Sequence, residues 1–351
     1  MNDNKILIIG YFGYETNQLD GQTVKTRNIY QLLESKMSII EGCIDFFDTQ
    51  SIKYKKYNII VLLKKVLSCH KVVYLPAQNN LTYFFHILYI LSKIKRFSIL
   101  YIVIGGWLSE YLENKPIHKY FLKHIDGIFT ETNDLRNCLI QKYHFSNVIT
   151  FPNFRIHSFV PSFIENNDAF KIIFMARITL SKGIDIIFTL GDYFEKNPPG
   201  EKPIYIDLYG SIDKNNEEYF WNKIKEHPNI KYKGVLEPSE IYTVASQYDL
   251  LILPTRYQGE GFPGTIMDAY ISGIPVIASN WKSIPEFIDV NKTGFVFNLG
   301  QENDLYSLVI NLYDNPKLLK QMKQNAYQKS KEYSAEKAWE ILKPYLLKEK
   351  S

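Results

Sequence analysis

The chain has 351 residues, of which 46% are hydrophobic and 22% are charged, and its net charge is +4. This composition excludes intrinsic disorder, the lack of any long apolar run argues against a membrane-spanning helix, and the length favours two domains of about 150 residues each. The cysteines Cys43, Cys69 and Cys138 lack C-x-x-C spacing. We therefore expect reduced thiols in a cytoplasmic protein, and neither a disulfide framework nor a zinc site.

Apolar strand-like runs alternate with helical periodicity in the first half, which predicts a parallel α/β domain. Residues 1–13 lack the features of a signal peptide and are expected to begin with a strand. A helix is predicted over residues 23–35. The predicted strands are residues 5–10, 37–46, 71–75, 98–104, 127–131 and 147–151. We expect a first Rossmann-like domain over residues 1–155, together with the C-terminal helix at about 334–351.

Residues 49–109 form a strongly basic stretch with no Asp or Glu and nine Lys or Arg side chains. Since the whole chain carries +4, the other residues together carry −5. Large apolar side chains are interleaved with these charges, and such a surface is attracted to anionic lipid headgroups by about 1 kcal/mol per basic residue. One alternative is solvated lysines beside core helices. Nucleic acid is a less favoured partner, because no nucleic-acid motif accompanies the stretch.

The α/β pattern restarts after a polar connection and predicts a second Rossmann-like domain over residues 169–333. Its predicted strands are residues 171–177, 203–210, 230–234, 248–254, 274–279 and 294–298. Open parallel sheets bind ligands beyond the carboxyl ends of their strands, so the residues that follow each strand are the candidates for function.

Two basic residues follow the first strand of this second domain. Arg177 ends the strand, and Lys182 with Gly183 begins the next helix. A guanidinium and an ammonium at one strand-to-helix turn can clamp a diphosphate and neutralise it as a leaving group. Two solvated surface charges are the alternative.

The stretch GEGFPGTIMDAY at residues 259–270 predicts an anion-binding helix start. Pro263 suits the first helical position, and the free amides of Gly264 and Thr265 would lie at the positive end of the helix dipole. Glu260 and Asp268 are poor phosphate ligands but good acceptors for sugar hydroxyls. The alternative is a Glu that favours the helix dipole and an exposed mid-helix Asp.

These residues together resemble the retaining glycosyltransferases of family 4, which have the α/β GT-B fold of two Rossmann-like parallel-sheet domains that face each other across a cleft. The resemblance covers nearly the whole chain and is most specific over residues 171–298. It includes the YGS turn at 209–211, the stretch YKGVLEPSEIYTVASQYDLLILPT and the Glu-Gly-Phe motif with an acidic residue eight positions after the Glu.

The resemblance implies that Glu260, Arg177 and Lys182 are the catalytic residues, with the two cations on the diphosphate and the Glu on donor-sugar hydroxyls. Phe262 would lie beside that Glu, and Gly210 belongs to the YGS turn.

The resemblance also implies that the Gly264 and Thr265 amides meet the distal phosphate of the donor. Asp268 stands where the family has a Glu on the nucleotide ribose. Because Asp is one methylene shorter, we expect that contact to be weaker or mediated by water.

In the first half, the resemblance maps Gly21 and Gln22 onto a glycine loop that faces the diphosphate, with a flexible surface loop as the alternative. Gly105, Gly106 and Trp107 follow the fourth strand and are predicted to lie on the acceptor side, where Trp107 either stacks on a sugar ring or belongs to the core. The His of many relatives is absent there. The leaving phosphate would then accept the proton of the acceptor.

The resemblance thus implies transfer of a hexose-type sugar from a nucleotide diphosphate sugar to a lipid-linked saccharide, in capsule, exopolysaccharide or O-antigen biosynthesis. The enzyme would be cytoplasmic and bound to the inner face of the plasma membrane. An epimerase or phosphorylase on the same fold and a non-catalytic homologue that binds nucleotide sugars are alternatives. No Asp-x-Asp occurs and the histidines lack metal-ligand spacing, so no metal or other cofactor is expected.

Overall fold

The computed structural model describes residues 4–18, 20–163 and 168–347. The chain divides into two units, the first made of Met1–Ile156 and Tyr333–Ser351 and the second of His157–Glu332. The second unit thus begins at residue 157 and ends at residue 332, whereas the predicted second domain covers residues 169–333.

The described residues of the first unit contain one parallel sheet, whose strands are β1 (Asn4–Gly10), β2 (Gly42–Asp48), β3 (Lys71–Leu75), β4 (Ser98–Ile102), β5 (Gly127–Thr130) and β6 (Val148–Thr150). The strands are hydrogen-bonded in the order β2-β1-β3-β4-β5-β6. Each strand predicted from the first half of the sequence overlaps one of these. The strands β3, β4 and β5 are buried throughout, which explains why they appear in the sequence as apolar runs.

The helices of this unit that precede the second unit are α1 (Gly21–Ser35), α2 (Met37–Ile40), α3 (Ser51–Tyr54), α4 (Asn58–Leu67), α5 (Gln78–Tyr83), α6 (Phe85–Lys95), α7 (Leu108–Tyr111), α8 (Pro116–Lys123) and α9 (Asn133–Tyr143). The strand predicted over residues 37–46 is wrong in its first part, where the structure has α2. Glu41 ends this helical turn with φ +50°, and β2 begins only at Gly42. A short apolar run such as MSII does not distinguish a strand from a buried helical turn.

The second unit has a parallel sheet made of β7 (Phe170–Met175), β8 (Ile204–Tyr209), β9 (Ile230–Tyr232), β10 (Leu250–Leu253), β11 (Val276–Ser279) and β12 (Gly294–Phe297). Its helices are α10 (Ile184–Lys196), α11 (Glu217–Glu226), α12 (Ile241–Ala245), α13 (Gly264–Ile271), α14 (Glu302–Asp314) and α15 (Pro316–Ser330). Short 3₁₀ helices lie at Leu180–Lys182, Lys214–Asn216, Ile284–Phe287 and Lys331–Tyr333.

The last described helix, α16 (Ala335–Leu347), packs on the first unit. Its side chains Trp339, Leu342 and Leu346 are buried in one cluster with Ile29 and Leu33 of α1. Full burial of such side chains stabilises by about 1.5–3 kcal/mol each. The predicted return of the C-terminal helix to the first domain is confirmed.

The strand order of the second sheet, β12-β11-β10-β7-β8-β9, places a topological switch point between β7 and β10. Ligands of open α/β sheets bind at such a point, beyond the carboxyl ends of the strands. Arg177 follows β7 and Glu260 follows β10, so this edge of the sheet contains the candidate site. Within the described part of the chain, every helix is too short or too polar to span a bilayer.

Candidate active site at the carboxyl edge of the second sheet

Glu260 is a buried carboxylate in the loop between β10 and α13. The ammonium of Lys182 donates to both of its carboxylate oxygens, at 3.0 Å to Oε1 and 2.6 Å to Oε2. Thr255 Oγ1 also donates to Oε2 at 2.9 Å. The carboxylate is therefore held in one orientation by a cation and a hydroxyl, as a group that binds a ligand must be.

Lys182 reaches this carboxylate because of the turn that follows β7. It ends the 3₁₀ helix Leu180–Lys182, which Thr179 caps by accepting from the Lys182 amide at 3.1 Å. Gly183 then turns the chain into α10 with φ +82°, and a Cβ there would lie only 2.1 Å from Pro254 O. Only glycine fits this turn, which brings the β7 and β10 loops together.

The two predicted cations lie beside one aromatic ring. Tyr257, in the β10–α13 loop, has the Arg177 Cζ atom 5.6 Å and the Lys182 Nζ atom 4.9 Å from its ring centroid. The structure therefore brings Arg177, Lys182 and Glu260 together. Their catalytic roles stay predictions. Sequence reasoning missed Tyr257, whose two cations come from a loop about 80 positions earlier.

The glycine of the YGS turn allows the chain after β8 to lie close to the chain after β7. Gly210 has φ +142°, and a Cβ there would lie 1.9 Å from the carbonyl oxygen of Ala176. The chain after β8 thus lies directly against the residue that precedes Arg177. Contact of Gly210 with a donor stays a prediction.

Helix α13 begins at Gly264, and Pro263 is its N-cap, with φ −62° and ψ 119°. The prediction that Pro263 is the first helical residue is wrong by one position, because its extended ψ leaves it outside the helix. The amides of Gly264 and Thr265 belong to the first turn, where backbone N–H groups have no partner within the helix. Thr265 Oγ1 donates to Met175 O at 2.8 Å, so this hydroxyl fixes α13 to the end of β7.

Asp268 is buried in α13 rather than exposed, which rules out the alternative of a solvated mid-helix acid. Phe262 is also buried, and its ring stacks on Phe287 with centroids 3.7 Å apart and planes 7° apart. This stacking gives Phe262 a packing role in the loop that sequence reasoning did not assign. Donor contacts of both residues stay predictions.

In the first unit, Gly21 begins α1 after a capping box in which Asp20 and Thr23 bond each other's backbone amides at 2.9 Å. A Cβ on Gly21 would meet nothing within 4 Å, so packing in this unit does not require glycine there. Among the described residues, Gln22 Nε2 is a buried amide nitrogen without a hydrogen-bond partner. The predicted ligand roles of Gly21 and Gln22 stay predictions.

Trp107 follows Gly105, which has φ +78°, and Gly106 after β4. Its Nε1 donates to Ile104 O at 2.7 Å, and its half-buried ring lies edge-on to Tyr111 with centroids 5.5 Å apart. The ring is thus fixed by packing and still partly exposed to solvent, so both a core role and stacking on a sugar ring fit its position. The acceptor-side roles of these three residues stay predictions.

Two helices of the basic stretch, α4 and α6, lie beside α8, which follows the stretch in the sequence. Helices α4, α6 and α8 pack side by side and expose the apolar side chains Ile59, Ile60, Val61, Leu67, Ile87, Ile90, Ile94, Ile117 and Tyr120. Seven of the nine basic side chains of residues 49–109 are exposed. The other two are Lys65, which pairs with Asp45, and Lys71, which is buried. We call the exposed faces of α4, α6 and α8 the helical face.

No group of three or more His, Cys, Asp or Glu side chains that could hold a metal ion occurs in the residues that the structure describes. The metal-independent chemistry expected from the sequence stays a prediction.

Residues 157–329 match the family model described as "Glycosyl transferases group 1". The second unit is a glycosyltransferase group 1 domain. The whole chain is similar to the structure of Anabaena HepE in complex with UDP and glucose, with a TM-score of 0.70 over 97% of this chain and 99% of that one, at 14% identity. Such a likeness shows the fold, and the predicted GT-B fold is confirmed.

Two curated relatives of the chain are bacterial glycosyltransferases. The poly(ribitol-phosphate) alpha-N-acetylglucosaminyltransferase of Staphylococcus aureus is 26% identical over 212 residues, which are 57% of this chain and 40% of that protein. The amylovoran biosynthesis glycosyltransferase AmsK of Erwinia amylovora is 26% identical over 40% of this chain and 35% of that protein. The matched segments therefore span less than half the length of these relatives.

Proposed function

We propose that the chain is a retaining glycosyltransferase of family 4 that moves a hexose-type sugar from a nucleotide diphosphate sugar to a lipid-linked saccharide. The observation that carries this proposal is the convergence of Arg177, Lys182 and Glu260 at the switch point of the group 1 domain. Two cations beside a fixed carboxylate suit a ligand that has a diphosphate at one end and sugar hydroxyls at the other.

In the proposed reaction, the bond between the anomeric carbon and the diphosphate oxygen breaks, and its electron pair leaves with the diphosphate. The acceptor hydroxyl oxygen bonds to the anomeric carbon on the same face, which retains the configuration. Its proton passes to the leaving phosphate oxygen. Arg177 and Lys182 stabilise the charge that develops on the diphosphate.

Lys182 can serve both ends of the donor, because an ammonium has three N–H donors. It can keep a hydrogen bond to Glu260 while it donates to phosphate. Glu260 then accepts from a sugar hydroxyl through its remaining lone pairs. The amides of Gly264 and Thr265 add donors for the distal phosphate at the positive end of α13.

Nucleotide release from UDP-, GDP-, ADP- and dTDP-sugars, measured with and without lipid-linked acceptor, tests this function. We expect acceptor-dependent release from one donor and its loss in Glu260→Ala and in Arg177→Ala, with both variants folded. Glu226→Ala is the control, because Glu226 pairs with Lys223 on an exposed helix surface where an ion pair contributes little. Full activity of either site variant contradicts the assignment, and donor turnover without any acceptor favours an epimerase or phosphorylase.

The proposal includes contact between the helical face and the anionic inner surface of the plasma membrane, which would present the lipid-linked acceptor. Exposed isoleucines can enter the headgroup region while lysines attract anionic lipids. Gly105, Gly106 and Trp107 are the proposed acceptor-side residues of the same unit.

Sedimentation with phosphatidylglycerol vesicles, compared with phosphatidylcholine vesicles, tests the membrane contact. Ile90→Glu changes a side chain that is 53% exposed on α6, and Val290→Glu changes one that is 54% exposed on the second unit. We expect only the Ile90 variant to lose binding to the anionic vesicles. Equal binding of both variants contradicts the contact.

A further inference from the structure

Tyr257 is fixed at the candidate site through its main chain. Its carbonyl oxygen accepts from Trp281 Nε1 at 2.8 Å and from the Glu260 amide at 3.2 Å. Its own amide donates to Thr255 Oγ1 at 3.2 Å, and this hydroxyl also contacts Glu260. The ring position is thus tied to the position of the carboxylate.

The ring also lies against a residue without a side chain. A Cβ at Gly259 would lie 2.8 Å from two atoms of the Tyr257 side chain, Cε1 and Oη. Any larger residue at position 259 would displace the ring. Tyr257 nevertheless remains 36% exposed, so its surroundings leave room for a ligand.

Arg177 and Lys182 both lie within 6 Å of the ring centroid, the range in which an aromatic face attracts cations. Two cations beside the same ring repel each other when no anion lies between them. The face of an aromatic ring attracts both cations without using any of their hydrogen-bonding capacity. It therefore holds the two cations in place, and the N–H donors that Glu260 does not engage can bind an anion.

We propose that Tyr257 is a positioning residue that holds Arg177 and Lys182 ready for the diphosphate of the donor. This inference rests on the proposed function, because it assigns the diphosphate to these two cations. Tyr257 acts through the cations rather than on the reacting atoms. Its main effect is accordingly expected on affinity for the diphosphate, with a smaller effect on turnover.

Calorimetric titration with UDP, GDP, ADP and dTDP, together with KM and kcat for the donor, tests this role. The variants are Tyr257→Phe and Tyr257→Leu, since Phe keeps the aromatic face and Leu removes it. We expect Phe to bind nearly as wild type and Leu to lose about tenfold in affinity, with KM raised more than kcat is lowered. Tyr205→Leu is the matched control, because Lys231 lies 5.8 Å from the centroid of that exposed ring.

The outcomes separate this inference from the function on which it rests. A wild-type protein that binds none of the four nucleoside diphosphates contradicts the proposed function. Wild-type binding with an unchanged Leu variant contradicts the role of Tyr257 alone. Equal losses in Phe and Leu would assign the effect to the hydroxyl and also contradict it.

Discussion

Each unit of the molecule contains a lysine–glutamate ion pair that is largely shielded from solvent, and the two pairs differ in what surrounds them. In the first unit Lys25 Nζ lies 2.7 Å from Glu131, with side chains 3% and 4% exposed. In the second unit Lys182 Nζ lies 2.6 Å from Glu260, with side chains 14% and 7% exposed. The two pairs thus have nearly the same nitrogen–oxygen distance and consist of the same residue types.

The first pair is enclosed by its own unit. Lys25 also donates to Val103 O at 3.1 Å, and burial lowers the pKa of Lys25 while the charge of Glu131 opposes this shift. The second pair has a further cation and an exposed ring beside it, Arg177 and Tyr257. The comparison indicates that an ion pair closed by main-chain partners stabilises a fold, whereas one that adjoins a second cation and solvent suits a ligand.

The largest effect is expected from Lys182→Met, which removes a positioned donor from the proposed diphosphate site. Loss of one such donor lowers kcat by about 10²–10³-fold. We expect this loss in the transfer assay while circular dichroism shows a folded protein. Lys25→Met, measured in the same assay at a temperature where it is folded, should keep its turnover. Similar losses in both variants would contradict the distinction between the pairs.

Lys25→Met is expected to have the largest effect on stability, because it leaves Glu131 buried without its cation. Breaking a buried pair in this way costs about 3–5 kcal/mol. Urea unfolding of the first unit should show a lower free energy of unfolding. Lys223→Met, in an exposed pair, should change it by less than about 1 kcal/mol. An unaltered transition in Lys25→Met would show that the pair does not stabilise the fold.

Replacing both partners sharpens the comparison. A buried ion pair replaced by apolar residues of similar size is often neutral in stability, so Lys25→Met with Glu131→Leu should recover most of the loss. Lys182→Met with Glu260→Leu should recover no turnover, because the charges themselves are needed there. Unfolding midpoints measure the recovery of stability, and initial rates measure the recovery of turnover. Recovered turnover in the Lys182→Met, Glu260→Leu double variant would contradict the proposed site.

Arg177→Lys should lower activity less than Lys182→Met does, although it also changes the proposed diphosphate site. Lysine keeps the charge but lacks the planar fork that binds two phosphate oxygens at once. We expect kcat/KM for the donor to fall about tenfold, which corresponds to about 1.4 kcal/mol. Rates at several donor concentrations measure this. A fall as large as that of Arg177→Ala would show that geometry matters more than charge.

The smallest effect is expected from Asp268→Asn. This variant tests whether the buried Asp268 has a structural role, as proposed for Lys25 and Glu131, or binds a ligand, as proposed for Lys182 and Glu260. If Asp268 contacts the donor ribose, the loss of one hydrogen bond raises donor KM by about fivefold, or about 1 kcal/mol. The melting temperature should then change little. A lower melting temperature with an unchanged KM would place Asp268 with Lys25 and Glu131 as a structural residue.

Much of the fold could be predicted from the sequence, because strands buried on both faces appear as apolar runs bounded by turns. Residues 37–46 were the exception, since a short segment such as MSII, with three apolar residues in four, suits a helical turn as well as a strand. The site residues Arg177, Lys182 and Glu260 could be found because each directly follows a predicted strand or belongs to a short local motif. Their place at the sheet edge follows from parallel topology alone.

The sequence by itself determined the two α/β units, the basic stretch and the residue types at the strand ends, since these depend on local periodicity and charge. Only the tertiary structure decided that Lys25 meets Glu131, that Phe262 stacks on Phe287 and that Tyr257 lies beside two cations. Lys25 and Glu131 are 106 positions apart in the sequence, and Phe262 and Phe287 are 25 positions apart. Tyr257 is about 80 positions from its two cations. No local pattern encodes them, because they arise from which strands are neighbours and which glycines let their loops approach.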